Sequence, residues 1–566
     1  MFDKKKKKLP IGVEFFASMI EENYYYVDKT LFIRDIIDKG SKFTLCTRPR
    51  RFGKTLNQTM LKCFFEDTAP LSGKDTRALF NGLKIETAGE EYMEHQGKYP
   101  VIFLVLKDAN KSTFESSYFI LKEIITEEFK RHRYVLKKLE DKDDKALFER
   151  LSSREASKDE YSSSLRFLCK CLETYHGRKA IILIDEYDVP LENAWRCGFY
   201  SEMVGFIRAL MSSALKSNEH LQLSVMTGCL RISKESIFTG LNNLDVISIL
   251  SGHYDEYFGF TQVEVDAMLK HYTFEDKTQL IRDWYDGYLF GNKEVYNPWS
   301  LIKCLSEWTV MPERAPQPYW ANTSSNDIVR QILEKSNADV RTDLEKLISD
   351  GIISKKIHED VTYDEIDKRI DNFWNFLFFT GYLKKVGIER QDKDGKLILD
   401  LAIPNREVLY IYVTKIQDWF DEKVEVKDFS LFFDALLNGN DEIVKNELNN
   451  TLGDSISYFD GKEDFYHGLI VGILGRLQYY TVKSNRETGL GRCDIALKQT
   501  TRRNKAVIIE LKWAKKEKYL QKECDAALKQ IEDNKYADEL ISENYTEIIK
   551  YGIAFCGKYC EVKKGK

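Results

Sequence analysis

At 566 residues the chain exceeds what one hydrophobic core supports, and a prior of roughly 100–200 residues per domain implies about three or four units. Hydrophobic residues at 43% and aromatics at 13%, beside 31% charged residues, exclude a disordered chain and supply both packed cores and a wetted surface. A net charge of −5 argues against a basic coat spread over the whole molecule. Eleven cysteines, an odd number, fit a reducing compartment, and the closest pairs, Cys169–Cys171 and Cys556–Cys560, lack the second pair or histidine doublet of a zinc finger. Lys4–Lys8 is not followed by an apolar segment, and runs such as Val101–Leu106 are far short of a membrane span, so a cytoplasmic protein is expected.

Through the first 250 residues, short β-branched runs alternate with helical stretches. Phe43–Thr47, Val101–Leu106, Ala180–Ile184 and Gln222–Met226 read as strands of a mainly parallel sheet covered on both faces. The first run leads into Phe52-Gly53-Lys54-Thr55 and then a helix over Thr55–Phe65. A phosphate loop presents backbone N–H groups at a helix N-terminus, while its Lys meets the outer phosphates and its Thr holds Mg2+. The pattern departs at its opening position, where Arg48 replaces the usual glycine that permits a tight turn. Downstream, Ala180–Ile184 ends in Asp185-Glu186, a Walker B form in which Asp185 would join the Mg2+ shell and Glu186 would orient the attacking water. Thr227 lies where a γ-phosphate sensor could reach, and Arg231 could add charge near the phosphates. Arg48, Arg50 and Arg51 could do the same, or could contact another domain or DNA. The candidate nucleotide set is therefore Arg48, Arg51, Phe52, Gly53, Lys54, Thr55, Asp185, Thr227 and Arg231, with Thr55 and Asp185 as metal ligands and Glu186 as the catalytic group.

Beyond Phe258-Gly259-Phe260 the pattern turns mostly helical, as in Gln262–His271 and Lys277–Trp284, with turns at Asp286-Gly287 and Asn297-Pro298. A charged turn at Gln391–Gly395 followed by Lys396–Ala402 predicts a hairpin ended by Pro404-Asn405, a winged-helix-like layout. Past Phe429 a helical stretch precedes strands at Gln478–Lys483, Arg492–Leu497 and Ala506–Leu511, a helix through Asp525–Asn534 and a closing strand at Lys550–Cys556. The division expected is 1–250, 251–430 and 431–566.

The segments Tyr26-Val27-Asp28-Lys29-Thr30, Arg48-Pro49-Arg50-Arg51-Phe52-Gly53-Lys54-Thr55, Asp185-Glu186-Tyr187-Asp188 and Thr227–Asn243 closely resemble bacterial AAA-ATPase-like proteins that carry a C-terminal PD-(D/E)XK nuclease domain. The likeness continues through Trp284-Tyr285-Asp286-Gly287-Tyr288, Tyr296-Asn297-Pro298-Trp299-Ser300, Tyr319-Trp320, Gly381-Tyr382-Leu383 and Ile403-Pro404-Asn405. In that family the arginine-bearing loop is itself usual. The resemblance implies an N-terminal P-loop sheet, a restriction-endonuclease-like C-terminal domain, ATP and Mg2+ as cofactors and DNA as partner. It leaves the oligomeric state open, a homo-oligomer included.

In the C-terminal part, Glu510 and Lys512 share a strand face, since residues i and i+2 point the same way, and Asp494 on the neighbouring strand would face them. Metal-assisted phosphodiester hydrolysis needs carboxylates for the ion and a cation near the attacking water. The resemblance assigns Asp494 and Glu510 as Mg2+ ligands and Lys512 as base or water-positioning group, although Cys493 stands where the superfamily's name has proline. It also suggests His467, on the preceding helix, as a partner of the metal site, with Glu463 and Glu487 as other candidates. Gln530 and Tyr536 occupy places where similar nucleases touch the substrate backbone. Between Arg476 and Lys518, twelve Lys or Arg stand against four Asp or Glu, a local +8 that suits a polyanionic partner.

Overall fold

The computed structural model describes residues 6–71, 73–231, 244–322, 338–349, 351–359, 370–415, 428–453, 463–475, 477, 479–488, 491–500 and 504–565, with backbone alone at 463–465, 484–488 and 491–493 near the C-terminal site. The chain divides into two units, Met1–Ser325 with Ile352–Ile411, and Asn326–Gly351 with Tyr412–Lys566. No helix among the described residues is long and apolar enough to cross a membrane.

In the first unit five apolar runs become strands β1 (Phe43–Thr47), β2 (Val101–Val105), β3 (Ala180–Asp185), β4 (Leu221–Gly228) and β5 (Leu244–Ile247). They lie in the order β2-β3-β4-β1-β5 with every neighbouring pair parallel. Every residue of β1 and β3 is buried, as continuous apolar runs require of strands covered on both faces. Parallel neighbours need crossover connections, and the helices Phe114–Arg131, Lys158–His176 and Tyr200–Leu215 supply them. Because β4 lies between β1 and β3, the C-terminal ends of the three strands stand side by side: Cys46 is in register with Thr227, and Ile184 with Met226. Ligands of open parallel sheets bind at that rim.

The same unit continues through the helices Gln262–Tyr272, Thr278–Tyr285 and Pro298–Val310, around a core that includes Leu269, Ile281, Tyr285, Leu305 and Trp308. Asn297 caps the last of these, accepting the Trp299 N–H at 3.0 Å, and Pro298 suits the first helical position. The hairpin β6 (Tyr288–Phe290) and β7 (Lys293–Val295) precedes a three-stranded antiparallel sheet of β8 (Ile353–Lys356), β9 (Lys384–Gln391) and β10 (Leu397–Ala402), with the helix Ile370–Phe379 beside them in sequence. The hairpin expected around Gln391–Gly395 is thus β9–β10, joined by a third strand that the sequence did not announce.

The second unit holds a five-stranded sheet in the order β11 (Tyr480–Thr488), β12 (Gly491–Gln499), β13 (Lys505–Trp513), β14 (Glu547–Cys556) and β15 (Tyr559–Lys564). β13 and β14 are parallel, so the helices Leu520–Asp533 and Tyr536–Ser542 form the crossover between them. β13 is buried from Ala506 to Leu511, which makes it a central strand. The architecture is α/β: a parallel five-stranded sheet, a mainly helical middle, and a C-terminal mixed sheet with helices of the restriction-endonuclease-like kind.

One carboxylate in the middle segment stands apart from solvent. Glu407 is 0% exposed; its Oε1 accepts from Ser300 Oγ at 2.9 Å and Trp320 N at 2.8 Å, and its Oε2 has no hydrogen-bond partner. Burial pushes its carboxyl up to about 8, although those donors pull the other way. A carboxyl raised in the folded state takes up a proton on folding at every pH between its ordinary value and its folded one. Stability is therefore lost as pH rises across that window, by at most about 1.4 kcal/mol per pH unit. Urea unfolding should show the wild type losing about 1–3 kcal/mol between pH 5.5 and 7.5 through this group, while Glu407→Gln shows a flatter profile. Parallel profiles for the two proteins would contradict the assignment.

Candidate nucleotide and nuclease sites

At the end of β1 the chain turns into the loop 48–53. Arg51 (φ 71) and Gly53 (φ 80) are left-handed and flank Phe52, which is not. Such alternation turns successive N–H groups toward one point and makes an anion-binding nest. Gly53 then caps the twelve-residue helix Lys54–Phe65, whose first N–H groups have no partner within the helix. Phe52 anchors the loop: it is fully buried, with ring centroids 4.9 Å from Tyr288 and 5.1 Å from Phe290 of the β6–β7 hairpin.

Lys54 is 3% exposed, and its Nζ lies 3.2 Å from Arg48 O, 3.1 Å from Pro49 O, 3.4 Å from Glu186 Oε1 and 3.5 Å from Cys229 Sγ. Burial by itself would lower the ammonium, but Cys229, Glu186, Asp188 and Asp185 around it outweigh that and hold it above its ordinary range. Thr55 Oγ1 donates to Asp185 Oδ2 at 2.5 Å, and Thr227 Oγ1 donates to the other oxygen, Oδ1. Asp185 is fully buried, and desolvation together with Glu186 pushes its carboxyl upward. A buried acid beside a partly exposed one, next to a lysine and a threonine hydroxyl, forms a donor set that fits a magnesium-bound phosphate. The sequence set Gly53, Lys54, Thr55, Asp185, Glu186 and Thr227 thus converges at one rim.

Arg48 departs from its expected place. Its guanidinium is fully buried and donates to Thr47 O at 2.9 Å and Ile247 O at 2.8 Å, with its Cζ 5.2 Å from the rings of both Phe258 and Phe290. These carbonyls take both N–H groups of one terminal nitrogen and the aromatic rings cover the guanidinium faces, while the buried Nε has no hydrogen-bond partner, so Arg48 ties β1 to β5 and turns away from a phosphate. Phe52 likewise serves as a packing anchor and offers no surface to a ligand. Arg51 is exposed and lies over Trp299 at 4.5 Å. Arg50 donates to Glu192 at 2.6 Å, and Arg231 lies 3.3 Å from Glu359 Oε2. The Trp299, Cys229 and Glu359 contacts were missed because those residues come from distant segments with no phosphate-loop signature.

In the second unit the register Ile495 to Ile509 sets Asp494 across from Glu510 on antiparallel strands. Asp494 Oδ2 accepts the Leu511 N–H at 2.8 Å, and Glu510 Oε2 faces the Asp494 N–H at 3.4 Å. Lys512 Nζ stands 3.4 Å from Glu510 Oε1. Burial and then the facing Asp494 push the Glu510 carboxyl up to about 7, with Lys512 opposing. Two carboxylates forced together in this way are relieved by a divalent ion, and hard oxygens with room for water ligands suit Mg2+. Among the described residues no three or more His, Cys, Asp or Glu side chains form a metal cage, and the side chains of Glu463 and Glu487 lie outside the described residues.

His467 reaches the backbone here: its Nε2 donates to Asp494 O at 3.1 Å, which requires the proton on Nε2. One expectation is corrected. Tyr536 is 2% exposed and packs with Ile531 and Leu540, its hydroxyl accepting from Asn534 at 2.9 Å, so it presents no face to a substrate. Gln530 Nε2 donates to Glu510 Oε1, so its amide steadies a carboxylate of the site.

Comparisons with known proteins match the two ends of the chain. Residues 10–238 match a family described as "Predicted AAA-ATPase", and residues 461–565 match the PD-(D/E)XK nuclease superfamily. A protein of Azotobacter chroococcum mcd 1, described as an uncharacterized protein in the vnfD 5'region, is 28% identical over 410 residues, covering 71% of this chain and 68% of its own length. With the rim of the parallel sheet and the paired strands β12–β13 in view, the chain carries an AAA-ATPase-like domain at its N-terminus and a PD-(D/E)XK nuclease superfamily domain at its C-terminus.

Proposed function

We propose that this protein binds and hydrolyses ATP through its N-terminal part and cleaves DNA phosphodiester bonds through a Mg2+-dependent nuclease site at its C-terminus. The observation that carries the nuclease reading is the meeting of Asp494, Glu510 and Lys512 on neighbouring strands of one sheet. The domains proposed are 1–250, 251–430 and 431–566. The ten cysteines whose side chains are among the described residues are all free, which supports a cytoplasmic setting.

When bound, Mg2+ would polarise the phosphoryl oxygen and make a water acidic enough to attack. Asp494 and Glu510 would hold the ion, each fixed by a backbone N–H of the other's strand. Lys512, on the Glu510 side of the strand, positions the attacking water or takes its proton. Gln530 keeps Glu510 oriented, and His467 fixes the backbone from which Asp494 projects. At the other site Lys54, held here by the Arg48 and Pro49 carbonyls, would meet the outer phosphates, and Thr55 with Asp185 would hold the metal. Glu186, released from Lys54, orients the hydrolytic water, with Thr227 beside the γ-phosphate.

Plasmid incubated with the protein and Mg2+ should be cut, and Lys512→Ala should lower the rate by about 10²–10⁴-fold, the usual worth of a proton-transfer or water-positioning group. Equal traces of cutting by both proteins would refute the nuclease reading. Calorimetric titration should show ATP binding that weakens by about 10–100-fold in Lys54→Ala, as expected for loss of one buried cation on phosphate. Unchanged affinity would refute the nucleotide site.

A second reading, a nucleotide-stabilised switch without turnover, draws on the Lys54–Glu186 pair, which holds the would-be water-orienting group against the loop. Phosphate release measured beside the titration separates the two: binding without release favours the switch.

A further inference from the structure

The turn after β3 and the end of β4 are bonded to each other at several points, and Asp188, so far only a charge near Lys54, makes two of those bonds. Glu186 is left-handed (φ 54), which folds Tyr187 and Asp188 back over Gly228. Tyr187 N donates to Thr227 O at 3.1 Å, and its hydroxyl donates to Leu230 O at 2.6 Å. Asp188 is 1% exposed, and its Oδ2 accepts both the Cys229 N–H at 2.8 Å and the Leu230 N–H at 3.0 Å. A Cβ on residue 228 would stand 2.5 Å from the Tyr187 ring and 2.7 Å from Asp188 Oδ1, so the approach tolerates only glycine.

The segment held in this way touches the nucleotide loop on its other side. Arg48 N donates to Gly228 O at 3.0 Å, Cys229 Sγ lies 3.5 Å from Lys54 Nζ, and Thr227 donates to Asp185. Arg231 follows directly in sequence.

We propose that Asp188 is a positioning residue of the nucleotide site: its carboxylate oxygen fixes the Thr227–Leu230 segment against Lys54 and Asp185, so that Thr227 meets the phosphates in register. The inference rests on the nucleotide reading given above. What Asp188 supplies is an acceptor at a fixed place. Without it two buried N–H groups lose their partner. The contact runs through one oxygen, since Oδ2 accepts both N–H groups and Oδ1 has no hydrogen-bond partner, so the place of that acceptor is what the geometry fixes.

Two substitutions separate position from charge. Asp188→Asn keeps an acceptor oxygen in place and removes the charge, whereas Asp188→Glu keeps the charge and moves the acceptor by one methylene. Steady-state ATP hydrolysis by the full chain should show near wild-type kcat for Asp188→Asn and a kcat lowered about 10–100-fold for Asp188→Glu, with KM changed less than about threefold, as for misplaced but still binding groups. The reverse order, or wild-type rates in both, overturns the inference. Hydrogen exchange at the Cys229 and Leu230 amides gives a readout that needs no ATP: protection should persist in Asp188→Asn and fall at least about tenfold in Asp188→Glu. Equal protection in the two overturns the proposal whatever ATP does. A wild type that neither binds nor hydrolyses ATP sinks the nucleotide reading instead, and exchange alone then decides the positioning.

Discussion

Carboxylates taken out of water and set beside one another cost free energy that only a cation or well-placed donors offset, and both sites of this chain are arranged around that cost. At the rim of the parallel sheet, Asp185 is satisfied by two threonine hydroxyls and Glu186 by Lys54. On the C-terminal sheet, Asp494 and Glu510 each take an N–H from the other's strand, and Lys512 and Gln530 crowd one oxygen of Glu510. The partners that stabilise these acids in the free protein are the groups expected to reorganise around phosphate and metal. Lys54 shows this most plainly, since its ammonium is held by main-chain oxygens that a phosphate would replace.

The nucleotide loop solves a backbone problem without its usual first glycine. Left-handed turns at Arg51 and Gly53 aim the N–H groups, and Phe52 fastens the loop to Tyr288 and Phe290. Arg48 fills the space below, spending its donors on carbonyls of β1 and β5. The aromatic motifs of the middle segment therefore acquire a physical meaning. Tyr288 and Trp299 pack directly on Phe52 and Arg51, so the hairpin and the Asn297-capped helix form the bed on which the loop rests. Helix capping, aromatic packing and loop geometry are one connected arrangement within this unit.

Much of this was legible from residue order. Continuous apolar runs marked β1 through β4 because strands buried on both faces have no polar alternation to preserve, and the i, i+2 rule placed Glu510 beside Lys512. β5 escaped notice, being only four residues long. β8 is equally short, and β15, though six residues long, alternates exposed and buried positions with charged residues among them, so neither pattern stands out from a loop. Arg48 and Tyr536 were misplaced for one reason: a side chain's chemistry says what it can bind, while its burial says what it does bind.

The sequence by itself determined which residues carry charge, which runs must be strands, and that Gly53-Lys54-Thr55, Asp185-Glu186 and Asp494 with Glu510 and Lys512 are groups suited to phosphate and metal, because those properties belong to side chains and local periodicity. Only the tertiary structure decided that β4 inserts between β1 and β3, that Arg48 turns into the core and Gln530 onto Glu510, and that Asp188 grips the end of β4. Those outcomes depend on contacts between segments far apart in the chain, where packing and desolvation choose among partners that local spacing leaves equivalent.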